Sequence, residues 1–216
     1  GKFIAVGDRK QAINGFCGAD ASSFDEIAKV GNTKELPLSV NYRCGKEMIN
    51  LAREIVPQIQ ACPNAIEGVV TNVSQIDLSL FKKNDMVLCR KCAPLVNLCL
   101  ALIRNGQTAT IKGNDLANEL KQMALNIKGN TIEDVKEYTT KELDNLKNYF
   151  ISAYGMDESS AKDTRPYLML LDKCECLLYL AESANGNIKA IIDKVFSETK
   201  IANAITLMSI HKANGL

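Results

Sequence analysis

The chain has 216 residues, enough for one large or two small domains, and a hydrophobic fraction of 46% that can supply real cores. A net charge of +1 excludes a global basic field, so any nucleic-acid contact must come from a local groove. With no signal peptide and no apolar run long enough for a membrane span, the chain reads as a cytoplasmic protein without membrane partners.

Phe3 to Val6 reads as a buried strand that breaks at Gly7-Asp8. The following stretch, through Asn14, Gly15, Phe16 and Gly18 to Asp20, reads as a loop at a strand end. That is where α/β folds place ligands, although an ordinary turn fits the same residues. Ser22-Ser23 can cap a short helix with Asp25 and Glu26 in its first turn, ended by Gly31-Asn32. Leu36 to Val40 is a short strand leading into Asn41-Tyr42-Arg43. The next helix runs from about Gly45 to Val56, with Met48, Ile49, Ala52, Ile55 and Val56 on one face. Val69 to Val73 is β-branched and strand-like. Asn84-Asp85 then turns the chain into Met86 to Cys89, an apolar run of the kind buried on both faces of a parallel sheet. Pro94 suits a helix first turn, Leu95, Leu98, Cys99 and Leu102 line its face, and Asn105-Gly106 stops it. Thr108 to Ile111 is another strand. This alternation predicts a parallel sheet with crossover helices.

The pattern becomes helical at Gly113. Leu116, Leu120, Met123 and Ile127 mark one helix. Thr131 and Asp134 form a capping-box signature that opens a longer one through Val135, Tyr138, Leu146 and Phe150. Pro166 starts a third, with Leu168, Leu171 and Leu178, and Asn187 caps a fourth with Ile188, Ile191, Ile192 and Val195. Ala204 to Ile210 returns to strand. The organisation is an α/β chain interrupted by an all-helical insertion, and its stop at Leu216, without cap or tail, reads as a cut.

The eight cysteines include one C-x-x-C pair, Cys89 and Cys92, and the chain holds one histidine. A zinc site wants two such pairs or a pair with histidines. The thiols therefore read as buried and reduced, with no metal site.

Four segments in order resemble the motifs of UvrD/Rep-type superfamily 1 DNA helicases. Val6-Gly7-Asp8 through Gln11, Ala12, Ile13 and Phe16 to Gly18-Ala19 resembles motif III. Leu38 to Arg43 resembles motif IV, Val87 to Arg90 motif IVa, and Ile210 to Leu216 motif V. The resemblance implies a RecA-like fold of the P-loop NTPase type. It divides the chain into the tail of a first RecA-like domain (1–35), the first part of a second (36–113), the helical insertion (114–200), and a return strand with motif V (201–216).

The resemblance also implies roles for individual residues. Gln11 would sense the γ-phosphate of ATP through its side-chain amide, and Arg43 would act as an arginine finger, its charged fork matching phosphate geometry. Tyr42 would stack on adenine, and Gly215 falls in the nucleotide-facing part of motif V. Phe16 would stack on a DNA base. Asn14, Arg90, Ser209, His211 and Lys212 fall at the remaining DNA-contact positions. Asn14 and Cys17 depart from the usual tyrosine and arginine of motif III, and Cys92 and Ser209 from a common asparagine and threonine.

No G-x-x-x-x-G-K-[ST] loop and no Asp-Glu pair at the end of an apolar strand occur in the chain. The expectation is therefore an inactive piece of an ATP-dependent DNA helicase, with ATP and Mg²⁺ as cofactors of the intact protein and the Mg²⁺ ligands elsewhere. The resemblance implies 3′ to 5′ translocation on single-stranded DNA and unwinding at single-strand/duplex junctions. Two alternatives stand beside it: a helicase-nuclease subunit of a recombination or repair complex, and a non-catalytic RecA-like interaction module.

Overall fold

The computed structural model describes residues 3–7, 22–30, 33–129, 131–184, 187–197, 199 and 201–213. The architecture is mixed α/β, with two small parallel sheets and no closed barrel among these residues. The chain divides into two compact units, residues 1–75 and 76–216.

In the first unit, helix α1 (Ser23–Ala28) begins after Ser22, with Asp25 and Glu26 in its first turn as expected. Strands β1 (Val40–Asn41) and β2 (Gln60–Ala61) pair in parallel, Val40 opposite Gln60. Helix α2 (Lys46–Ala52) connects them and stops one turn earlier than its apolar spacing suggests. Gly45 precedes it because the segment 66–68 runs against it. A Cβ there would meet the carbonyl oxygens of Ile66 and Glu67 at 3.1 Å.

Ile49 is the one buried large apolar side chain among the described residues of this unit. Three expectations are corrected here. Of the strand expected over Leu36 to Val40 only Val40 enters β1, and Leu36 and Leu38 are exposed. Phe3 to Val6 forms no strand, and Ile4 is 92% exposed. Val69 to Val73 is irregular and exposed, because no neighbouring strand takes up its backbone groups.

The second unit is built on strands β3 (Met86–Cys89), β4 (Ala109–Lys112) and β5 (Ile205–Ser209) in the order β3-β5-β4, all parallel. The last strand in sequence is thus the central one. Its register sets Cys89 opposite Ser209 and Lys112 opposite Met208. Helix α3 (Ala93–Arg104) packs across all three strands. Leu95, Val96, Cys99, Leu100 and Leu102 are buried at helical spacing, and side chains of this size each contribute about 1.5–3 kcal/mol on burial. Alternation puts Ala109, Ile111, Ile205 and Leu207 on the same side, in the main core.

Met86 and Leu88 point the other way and are about half exposed. β3 is therefore an edge strand covered on one face, a correction to the expectation of burial on both.

Between β4 and β5 the chain is helical, as expected: α4 (Asn114–Leu125), α5 (Ile132–Tyr154), α6 (Glu158–Asp163), α7 (Arg165–Ser183) and α8 (Ile188–Val195). The Thr131–Asp134 capping box is formed, with Thr131 N donating to Asp134 Oδ2 at 2.8 Å and Asp134 N to Thr131 Oγ1 at 3.2 Å. α7 packs on α3 and α5, and α8 on α4 and α7. Leu120, Val135, Leu177, Leu180, Ile192 and Val195 join one core with α3 and the sheet. The helical block is thus continuous with the sheet rather than a separate body. Thr110, buried in β4, donates its hydroxyl to the Val195 carbonyl, so its burial is not left unsatisfied. A final turn, α9 (Ile210–Ala213), follows β5 directly.

Candidate nucleotide and nucleic-acid contacts

In the first unit the candidate residues sit where β1 ends. Asn41 Oδ1 accepts from the backbone amides of Arg43 at 2.9 Å and Cys44 at 2.8 Å. This side-chain turn holds residues 42–44 in a tight bend. The Cys62 amide donates to the Asn41 carbonyl at 3.0 Å and anchors the base of the bend to β2. Tyr42 is 81% exposed and Arg43 is exposed as well, so an aromatic ring and a guanidinium are both accessible at one turn. Asn41 is the residue that sequence reasoning passed over. Its signal was present, since Asn before a bend commonly caps its own backbone.

The neighbouring Gly45-Lys46 does not form a phosphate cradle. The Lys46 and Glu47 amides donate to the Ile66 and Glu67 carbonyls at 2.8 and 2.9 Å, and Lys46 Nζ pairs with Glu67 at 2.6 Å. The first amides of α2 are already engaged.

In the second unit, residues far apart in sequence meet at the carboxyl end of the parallel sheet. Cys89 and Ser209 are register partners, so Arg90-Lys91 after β3 and His211-Lys212 after β5 leave neighbouring strand ends. α9 packs against both strands. Arg90, Lys91, His211 and Lys212 are exposed, and Ser209 is half-buried with its Oγ accepting from the Lys212 amide at 3.2 Å. Lys112, at the end of β4, adds a cation on the far side of β5. Sequence reasoning missed Lys91 and Lys112, because only the strand order sets them beside the residues that follow β5. Crevices at the carboxyl ends of parallel strands are where open α/β sheets bind ligands. A row of basic side chains along a sheet end suits a phosphate backbone.

Four thiols of this unit are held in the neutral form by burial. Burial, reinforced by the Asp172 carboxylate, pushes Cys92 up to about 11. Burial likewise raises Cys174 to about 11 and Cys99 to about 12, and drives Cys176 upward. Neutral thiols are poor metal ligands. No group of three or more His, Cys, Asp or Glu side chains able to hold a metal ion occurs among the described residues.

Gln11, Asn14, Phe16 and Gly215, together with Cys17, lie outside the described residues. Tyr42 and Arg43 come together in the first unit, and Arg90, Ser209, His211 and Lys212 come together in the second. No helix among the described residues is long and apolar enough to cross a membrane. No protein-family model, curated protein or solved structure matches the chain.

Proposed function

We propose that the chain is part of a cytoplasmic, ATP-dependent DNA helicase of the UvrD/Rep type, with a RecA-like sheet whose carboxyl end follows one DNA strand. The observation that carries this reading is the convergence of Arg90, Ser209, His211 and Lys212, drawn from motif IVa and motif V, on adjacent parallel strand ends. The helical block between β4 and β5 supports it too, since the resemblance implies an insertion at that place.

On this reading Tyr42 and Arg43 form one wall of a nucleotide site. The donor set suits a nucleotide's base and phosphate: an exposed ring for the base and a guanidinium for phosphate oxygens, fixed by the Asn41 turn. ATP, when bound with Mg²⁺, supplies the phosphoryl group whose charge the Arg43 guanidinium would neutralise. The magnesium ligands and the phosphate loop would lie elsewhere in the enzyme. The cationic sheet end holds DNA by its phosphates, without sequence preference, and the resemblance implies 3′ to 5′ travel along it.

The test is binding of a fluorescent oligo-dT and a mixed-sequence single strand by the 216-residue chain across a salt series. Weak, sequence-independent binding that falls with salt is expected, together with a shallower log–log slope in Arg90→Ala and Lys212→Ala. The slope should change by about 0.7 for each phosphate that is no longer neutralised. A salt-independent signal, or slopes unchanged in both variants, would remove the DNA reading.

A further inference from the structure

The Arg90-Lys91 turn is not held by its own sequence. It lies between β3 and α3, and Cys92, at the start of α3, makes no side-chain capping bond. Pro94 has no amide hydrogen, so the Cys92, Ala93 and Leu95 amides are the donors without an intrahelical acceptor at that end, and of these Cys92 and Ala93 adjoin the turn. Both are met from a distant element. Asp172, on α7, accepts from Cys92 N through Oδ2 at 2.8 Å and from Ala93 N through Oδ1 at 2.9 Å.

The carboxylate is half-buried and uses both oxygens on the two residues that immediately follow Lys91. Its neighbour Lys173 pairs with Glu119 of α4 at 2.8 Å, so the same turn of α7 is tied to the helical block as well. Arg90 and Lys91 are exposed, while the backbone just beyond them is clamped. An ordinary cap would come from the neighbouring sequence. This one crosses from the helical block to a cationic turn at the sheet end.

We propose that Asp172 is a positioning residue that holds the Arg90-Lys91 turn in place for the phosphates of a single DNA strand, coupling the helical block to the strand track. The inference rests on the reading of the sheet end as a single-strand interface. Two side chains pre-set on a clamped backbone lose less freedom on binding than two on a loose turn.

The experiment uses the full 216-residue chain as wild type, Asp172→Ala, Asp172→Asn, the Arg90→Ala/Lys91→Ala double variant and the triple variant with Asp172→Ala. Three readouts are taken: oligo-dT affinity across salt, the rate of tryptic cleavage after Arg90 and Lys91, and the thermal midpoint. Asp172→Ala should weaken oligo-dT binding by about tenfold and lower the salt slope by the equivalent of one to two neutralised phosphates, about 0.7 each. It should also speed cleavage at the turn. Asp172→Asn, which keeps one acceptor oxygen, should fall between, and it carries the test if the alanine variant does not fold.

In the Arg90→Ala/Lys91→Ala background, Asp172→Ala should weaken DNA binding no further, because the groups it positions are already gone. Losses that add in the triple variant, or a lowered thermal midpoint with unchanged cleavage and slope, would reduce Asp172 to a structural cap and overturn the proposal. If wild type shows no salt-dependent oligo-dT binding, the interface reading itself falls. Faster cleavage in Asp172→Ala would then mark a turn clamped for some purpose other than DNA, which also overturns the proposal as stated.

Discussion

Arg43 is exposed on a turn whose shape is set by the Asn41 side chain. In the full-length enzyme of the proposed function, Arg43→Ala is expected to lower ATP turnover by about 10² to 10⁴-fold without loss of fold, because a group that neutralises transition-state charge is removed. Turnover within a few-fold of wild type would take Arg43 out of the site. Asn41→Ala should act through the same turn, leaving two amides to water and lowering turnover less than loss of the guanidinium itself. The thiols give a second prediction at this scale. Cys99 is pushed up to about 12 by burial, and Cys92 and Cys174 up to about 11, against an ordinary value of 9.0. Above pH 9 the unfolded chain gives up these protons while the folded chain keeps them, so the unfolded state binds fewer protons and stability falls as pH rises. The loss should run from about pH 9 toward pH 11–12, at about 1.4 kcal/mol per pH unit for a fully buried thiol. Urea midpoints at pH 8 and pH 10 check it. A midpoint that does not fall would mean that the thiols ionise equally in both states.

The helical elements carry their own instructions, while the strands β3, β4 and β5 are legible as apolar runs but not in how they pair. The capping box of α5 is local, with Thr131 Oγ1 and Asp134 Oδ2 at 2.7 Å, so four residues of sequence foretold it. Thr131→Ala should therefore cost about 1 kcal/mol in a denaturant melt, and a shift below a few tenths would show the box to be idle. Gly129 stands just before it at φ +136°, and a Cβ there would collide with the Asp134 carboxylate. Gly129→Ala should thus weaken the same box from the other side. Helices α3, α4, α5, α7 and α8 were legible for this reason, since their apolar spacing and their starts and stops lie within each segment. Helix α6 was not, because only Ala161 of its six residues is buried and so it shows no apolar stripe. Strand pairing is a property of two segments. Val69 to Val73 has strand composition but no partner, while the two-residue β2 is a strand only because β1 runs beside it. The exposure of Met86 and Leu88 was hidden likewise, because composition does not say which strand becomes an edge. At the candidate site, Arg90, His211 and Lys212 were legible one by one. Their adjacency needed the Cys89–Ser209 register, and the Asp172 clamp needed a fold that joins positions 80 residues apart.

At the scale of the whole molecule, the second unit closes through β5. The Ile205 amide donates to the Thr108 carbonyl at 2.8 Å and the Thr206 amide to the Asp85 carbonyl at 2.9 Å, so the strand is stitched to both neighbours from its first residue. A chain ending at Asn203 leaves β3 and β4 with no strand between them. It should keep much of its helical circular-dichroism signal and lose its cooperative melt. A sharp melt near the wild-type midpoint would show that the helical core stands without the sheet. The central place of β5, which follows both of its neighbours in the chain, also bears on how the protein is made. A ribosome delivers β3, β4 and the whole helical block before residues 205–209 emerge, so until then the growing chain carries two bare strand edges where β5 will sit. During that interval an apolar strand from any other source could fill the slot meant for β5. The nascent polypeptide is then most open to aggregation and to chaperone capture just before Ile205 leaves the exit tunnel.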